Sequence, residues 1–439
     1  MGFVDIGETK PQGSSEGKCR RDDAVIEAGE NAMGLPEKFV GAETALHEAA
    51  TARCGLRDFG ETSYLIGLRH LLESLDEDLR RGPSEREACY TTIISLLVSR
   101  LYAQAGWKRN PDCLTQKLER PVFIVGAPRT GTTALHQMLS AAPCWQGLES
   151  WLAKTPMTRP PRETWPAQRE YRDAVAALNA RLAAQPAFRF THAIAPDEVD
   201  EDILITAQTM IANTFGSIMH VPGYDSWFRA QDARAGYRCL ADNLRLIGAK
   251  DRGKRWLLKD PSHVLDLEEL LEIFPDSVVV HIHRDPLKSQ PSLWSLLAIN
   301  HRPRDGEAMN LQTIARREID LYSRALTHDI DIARRYPARI CEIFEDEMTA
   351  KPLEVALRIF DFMGEPITGA AEKAMSTWIG NNPIGKHGVH RYAAENFGVS
   401  SGEIAERFSA YRAHYGFGAE PARPRHEFAG ATVMRSIDP

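Results

Sequence analysis

Residues Pro121 to Ser140 read PVFIVGAPRTGTTALHQMLS. Val122, Phe123, Ile124 and Val125 are β-branched or aromatic and close on Gly126, which predicts a short buried strand. A loop follows, Ala127-Pro128-Arg129-Thr130-Gly131-Thr132-Thr133, and then Leu135, Met138 and Leu139 recur at helical spacing. A strand, a glycine-bounded loop and a helix N-terminus form a phosphate cradle, because loop amides and helix dipole both face an anion. The spacing of Gly126 and Gly131 is that of a Walker A loop, yet Thr132 stands where its lysine belongs. The loop's cation is Arg129, followed by the hydroxyls of Thr130, Thr132 and Thr133. That set suits a phosphate-like group carrying less charge than a triphosphate. The competing reading is a strand-turn-helix with no ligand, and packing alone poorly explains two glycines and three threonines at a helix mouth.

Downstream, the pattern repeats. Trp256-Leu257-Leu258 is a short apolar run ending in Lys259-Asp260-Pro261-Ser262-His263, and Leu265, Leu267, Leu270, Leu271 and Phe274 predict a helix. Val278 to His283 is a strong strand, after which Asp285 as N-cap and Pro286 at the first position start another helix. Pro291 is expected to kink that helix. Arg339 to Glu345 alternates like a strand, and Leu353 to Met363 is helical. Strands and helices alternating through short joints predict an α/β, P-loop-like three-layer fold, a central parallel sheet flanked by helices.

Around this core, residues 1–37 lack periodicity and predict a flexible tail. Residues 38–118 predict a helical extension broken at Arg81-Gly82-Pro83, and 119–439 the α/β domain. Pro143 to Trp151 reads as a loop, residues 155–168 as irregular and proline-rich, and Tyr171 to Ala184 as a helix. Glu198 to Ile218 reads as a further helix, with Asp197, Glu198, Asp200, Glu201 and Asp202 complementing its dipole.

Composition narrows the function. A net charge of −7 and a pI near 6.1 argue against a general nucleic-acid-binding surface, so any anion site must be a local basic pocket. The seven cysteines are scattered without C-x-x-C pairs, which fits reduced thiols in the cytoplasm. No signal peptide and no run of 18 apolar residues is legible, and the 14 histidines are dispersed, so neither a membrane span nor a metal is expected.

The P-R-T-G-T-T loop after a hydrophobic strand resembles the 5′-phosphosulfate loop of sulfotransferases that use 3′-phosphoadenosine 5′-phosphosulfate (PAPS). With arginine inside the loop it is similar to bacterial sulfotransferase-family proteins and to the tyrosylprotein sulfotransferases. Arg284 directly after a strand, with Ser292 eight residues on, matches that family's 3′-phosphate motif. Phe344-Glu345-Asp346-Glu347-Met348 and Phe362-Met363-Gly364 resemble patterns late in sulfotransferase cores, and the basic stretch around Lys386 resembles the loop that closes over the nucleotide. The resemblance spans about residues 119–395.

It implies that Arg129, Thr130, Gly131, Thr132, Thr133, Arg284, Ser292 and Lys386 hold PAPS, with Arg129 and Lys259 also stabilising charge during transfer. It leaves two bases open. Glu149, twenty residues after Arg129, resembles the base of the tyrosylprotein branch; His263 resembles the histidine of the cytosolic branch, displaced by two places; Glu198 and Glu201 stand behind them. The implied reaction is sulfuryl transfer to a hydroxyl or amine of a small-molecule, lipid or glycan acceptor. A homo-oligomer is compatible with the sequence, and nucleic acid is not an expected partner. The rivals are a P-loop kinase or nucleotide hydrolase, which the missing lysine disfavours, and a non-catalytic nucleotide-binding protein.

Overall fold

A computed structural model describes residues 34–184, 194–382 and 393–418. Its centre is a parallel sheet of five strands, β1 (Val122–Val125), β2 (Trp145–Gln146), β3 (Arg255–Lys259), β4 (Val278–His283) and β5 (Ile340–Phe344), in the order β2-β3-β1-β4-β5. In register, Ile124 of β1 lies level with Lys259 of β3, and Val125 with His281 of β4. β1 sends the chain toward the β3 side and its neighbour β4 sends it toward β5. Their connections diverge, so the ligand-binding crevice of an open α/β sheet belongs at the carboxyl ends of β1 and β4.

The strands read as continuous apolar runs because both faces are covered. Phe123 and Val125 point into one core with Leu258, Leu240, Leu244 and Ile319. Val122 and Ile124 point into the other with Leu139, Val280, Ile359 and Phe360. That period-two division is what a strand between two helical layers imposes.

The N-terminal region forms three helices, Glu43–Cys54, Tyr64–Glu77 and Pro83–Arg109. Their core is completed by Met210, Phe215, Met219 and Tyr224 from beyond β2. Buried Arg81 ties the layers together, donating to His220 O (2.7 Å) and Asp305 Oδ1 (3.0 Å).

Local expectations change at residues 198–218 and 143–151. The single helix over Glu198–Ile218 does not form: short helices Ile203–Thr206 and Thr214–Ile218 flank a turn with Met210 at φ 57°. Backbone groups there are claimed elsewhere, with Asp200 N–H donating to Leu148 O and the Tyr224 hydroxyl to Met210 O, each at 2.9 Å. The helix Pro286–Asp305 runs on through both Pro291 and Pro303, packed between the helices Pro83–Arg109 and Leu311–Arg335. The 143–151 loop contains β2 and leads into the helix Ser150–Lys154. Residues 1–33 of the expected tail lie outside the described residues.

Candidate active site

The loop leaves β1 through Gly126 at φ 147°, where a Cβ would stand 2.5 Å from Ile282 O of β4. Glycine is required for that approach. Arg129 takes φ 71°, an uncommon conformation for a residue with a side chain, of the strained kind that clusters at ligand-binding loops. The Thr130 hydroxyl donates to Ala127 O at 2.8 Å and closes the loop on itself. Gly131, at φ 99°, caps the helix Thr132–Ser140 and has no side chain to accept from the first-turn amides. Those amides and the dipole point toward the crevice.

Two arginines and a serine meet beside this loop. Arg129 Nε donates to Ser292 Oγ at 3.1 Å, and Arg284 donates to the Arg129 carbonyl at 2.7 Å. Arg284 Nε is buried with no hydrogen-bond partner among the described residues, its closest carboxylate oxygen being Glu345 Oε2 at 3.5 Å. The strand end beneath is braced from the C-terminal helices: Tyr411 OH lies 2.9 Å from His283 Nδ1, and Arg412 donates to Asp285 at 3.1 Å. So β4 and its following helix deliver Arg284 and Ser292 to the loop that β1 delivers.

Lys259 ends β3 with its side chain wholly buried. Its Nζ donates to Glu201 Oε1 at 2.7 Å and to Thr133 Oγ1 at 3.3 Å. The ammonium missing from the loop sequence therefore arrives from the adjacent strand, at the first turn of the helix that follows the loop. A buried ion pair at this position contributes poise more than stability, since desolvation offsets much of the attraction.

His263 sits on the turn Pro261–Leu265 against the Phe123 ring, its Nδ1 3.2 Å from Tyr237 OH and its Nε2 3.2 Å from Asp202. Burial opposes protonation of this imidazole, but Asp202 outweighs it and holds the group above its ordinary value. Burial pushes the neighbouring Asp260 carboxyl up to about 7 against the pull of His263. Asp260 also caps its turn, accepting from Ser262 N–H at 2.8 Å.

Glu149 is placed differently. Its Oε2 accepts from Arg159 Nε (3.1 Å) and a terminal nitrogen (3.0 Å), and the same guanidinium reaches Gln146 Oε1 and Asp251 Oδ2. This cluster ties the edge strand β2 to the turn before β3. Lys386 lies outside the described residues. Thus Arg129, Thr130, Gly131, Thr132, Thr133, Arg284, Ser292 and Lys259 come together, His263 stands behind Lys259, and Glu149 is engaged with Arg159.

Glu201 and Asp202 were expected as dipole complements, Glu201 also as a base candidate behind Glu149 and His263, and the structure sets them against Lys259 and His263. Five acids crowded into residues 197–202 were a visible signal, but nothing in the sequence names partners some sixty positions away.

One consequence of this packing is measurable. Burial, reinforced by the Lys259 charge, pushes the His136 imidazole down to about 3, while its Nε2 lies 3.2 Å from Leu257 O. The unfolded chain gains a proton near 6.5 that the native state refuses, so this group's contribution is lost as pH falls below 6.5. Between pH 6.5 and 5 the native protein should lose about 2 kcal/mol more than a His136→Gln variant. Urea unfolding at the two pH values measures this, and equal losses would contradict the neutral buried imidazole.

Comparison with known proteins gives one consistent picture. Residues 121–369 match the model described as the sulfotransferase family. The crystal structure of sulfotransferase STF1 from Mycobacterium tuberculosis H37Rv is similar at 31% identity and a TM-score of 0.77, covering 85% of this chain and 99% of that one. Sulfotransferase STF9 from Mycobacterium avium shares the fold at 23% identity and a TM-score of 0.77, over 85% of this chain and 96% of that one. No curated protein matches by sequence.

Proposed function

The chain belongs to the sulfotransferase family, and on that premise we propose that it transfers a sulfuryl group from PAPS to a hydroxyl or amine of a small-molecule, lipid or glycan acceptor. The observation that carries the proposal is the meeting of Arg129, Ser292 and Arg284 at the mouth of a loop whose helix also receives Lys259. The residues fit a donor with two anionic ends. Thr130, Thr132, Thr133 and the loop amides suit the phosphosulfate end, while Arg284, whose Nε makes no hydrogen bond among the described residues, and Ser292 suit the 3′-phosphate. When bound, PAPS supplies the activated sulfuryl group.

This chain's own groups divide the remaining work. Lys259 and Arg129 neutralise charge that grows on the leaving oxygen, from a site where low dielectric strengthens them. Glu201 is the proton acceptor the geometry favours over Glu149. Its carboxylate rests on Lys259, and when an anion at Thr133 takes over that ammonium, Glu201 is released to accept the acceptor's proton. His263 holds Asp202, the neighbour of Glu201, and so acts as a positioning residue. The described residues contain no helix long and apolar enough to cross a membrane, and six described cysteines are free thiols, which suits a cytoplasmic setting.

Incubating the protein with labelled PAPS and an acceptor panel, followed by mass spectrometry, tests the proposal. Transfer of label to at least one acceptor is expected; PAPS consumed only by water, or left intact with every acceptor class, would count against it. The base assignment has its own test. Glu149→Gln should leave the transfer rate within about threefold and lower unfolding stability by about 2 kcal/mol, because it weakens a nearly buried ion pair. Loss of transfer with stability unchanged would return the role to Glu149.

A further inference from the structure

The dipeptides Glu201-Asp202 and Lys259-Asp260 lie side by side, and only their first members form the ion pair described above. Their second members meet His263. Asp202, Asp260 and His263 are 0, 1 and 2% exposed, and one ligand atom from each lies within 4.8 Å of the other two. Asp260 Oδ2 is buried with no hydrogen-bond partner among the described residues, and Asp202 Oδ1, which accepts no hydrogen bond there, lies 3.2 Å from His263 Nε2. His263 answers Asp202, but a buried carboxylate oxygen such as Asp260 Oδ2 is costly unless a cation or a proton lies against it.

The outer contacts match those of a metal centre. The His263 ring is oriented through Nδ1 by the Tyr237 hydroxyl, which turns Nε2 toward the carboxylates. Asp260 Oδ1 is occupied by the Ser262 amide, which leaves Oδ2 facing inward. Ligand atoms fixed by such neighbours are the usual build of a protein metal site. A cavity of about 290 Å³ lined by Tyr237, Ser262, His263 and Asp266 gives an approach from one side.

We propose that Asp202, Asp260 and His263 bind one divalent transition-metal ion. One imidazole and two carboxylates form a nitrogen and oxygen donor set that suits Mn²⁺ or Zn²⁺, and the imidazole makes it a poor match for Mg²⁺. The ion clamps residues 202 and 260, and through them fixes Glu201 against Lys259. Its role is positional: no metal-bound group reacts, and binding stands apart from the transfer reading.

The test uses the full chain, stripped with a chelator and then dialysed against Mn²⁺ or Zn²⁺. Elemental analysis after gel filtration should give one ion per chain, and thermal unfolding should shift upward with Mn²⁺ concentration. Asp260→Asn and His263→Gln should each weaken Mn²⁺ binding at least about 100-fold, whereas Cys144→Ser, at an exposed thiol, should not change it. Wild-type protein that retains no stoichiometric ion and shows no thermal shift would overturn the proposal and leave a proton shared between the carboxylates. Retention of the ion by Asp260→Asn would overturn it equally. Should either variant fail to fold, the wild-type stoichiometry and shift alone decide.

Discussion

Lys259→Met is expected to lower sulfuryl transfer by about a thousandfold, the scale of losing one preorganised charge aimed at a developing anion. The side chain is fully buried and bridges Glu201 to Thr133, so no water or neighbouring surface lysine can substitute for it. Methionine keeps the volume and removes the charge. It also strands the Glu201 carboxylate, which should cost about 3 kcal/mol of stability. A second change separates the two effects: adding Glu201→Gln should restore most of the stability and none of the transfer. Single-turnover kinetics and urea unfolding of the single and double variants measure both quantities. Recovery of transfer in the double variant would show that Lys259 does not stabilise the developing charge and that Glu201 is not the proton acceptor.

Arg284→Ala should weaken binding of adenosine 3′,5′-bisphosphate, the product left after transfer, by about 100-fold, as expected for loss of a charge-assisted contact to phosphate. Arg284 also holds the Arg129 carbonyl, so its removal loosens a residue already at φ 71°. Arg284→Lys distinguishes these roles. Lysine keeps the charge but cannot present the planar fork, so affinity should recover only in part. Calorimetric titration of the two variants checks the order wild type, lysine, alanine. Equal affinity in all three would remove Arg284 from the site.

The sheet and the glycine-bounded loop after β1 were legible because they rest on short-range signals. Val122 to Gly126 and Val278 to His283 are apolar runs closed by turn residues, and both became central strands. The loop glycines and the Arg284–Ser292 spacing act within one strand-helix joint, where sequence distance and spatial distance agree. What stayed hidden depends on long-range packing. Lys259 was visible as a candidate, but its union with Thr133 is made by strand order, with β3 beside β1. Glu149 was judged by its separation from Arg129, and separation carries no information about Arg159, which turns the carboxylate toward the edge of the sheet. The helix expected over Glu198–Ile218 failed for a related reason. Its polar first residues and backbone amides are drawn to Leu148, Lys259 and His263, and local propensity gives way to those contacts.

In the proposed function, the loop and Arg284 together recognise a nucleotide with two separated anionic ends and not a triphosphate. Calorimetry of the wild-type chain against adenosine 3′,5′-bisphosphate and against ATP tests it most directly. Micromolar or tighter binding of the bisphosphate is expected, lost in Arg129→Ala and Arg284→Ala, with ATP weaker by at least about tenfold. Tight ATP binding with no measurable heat from the bisphosphate would contradict it.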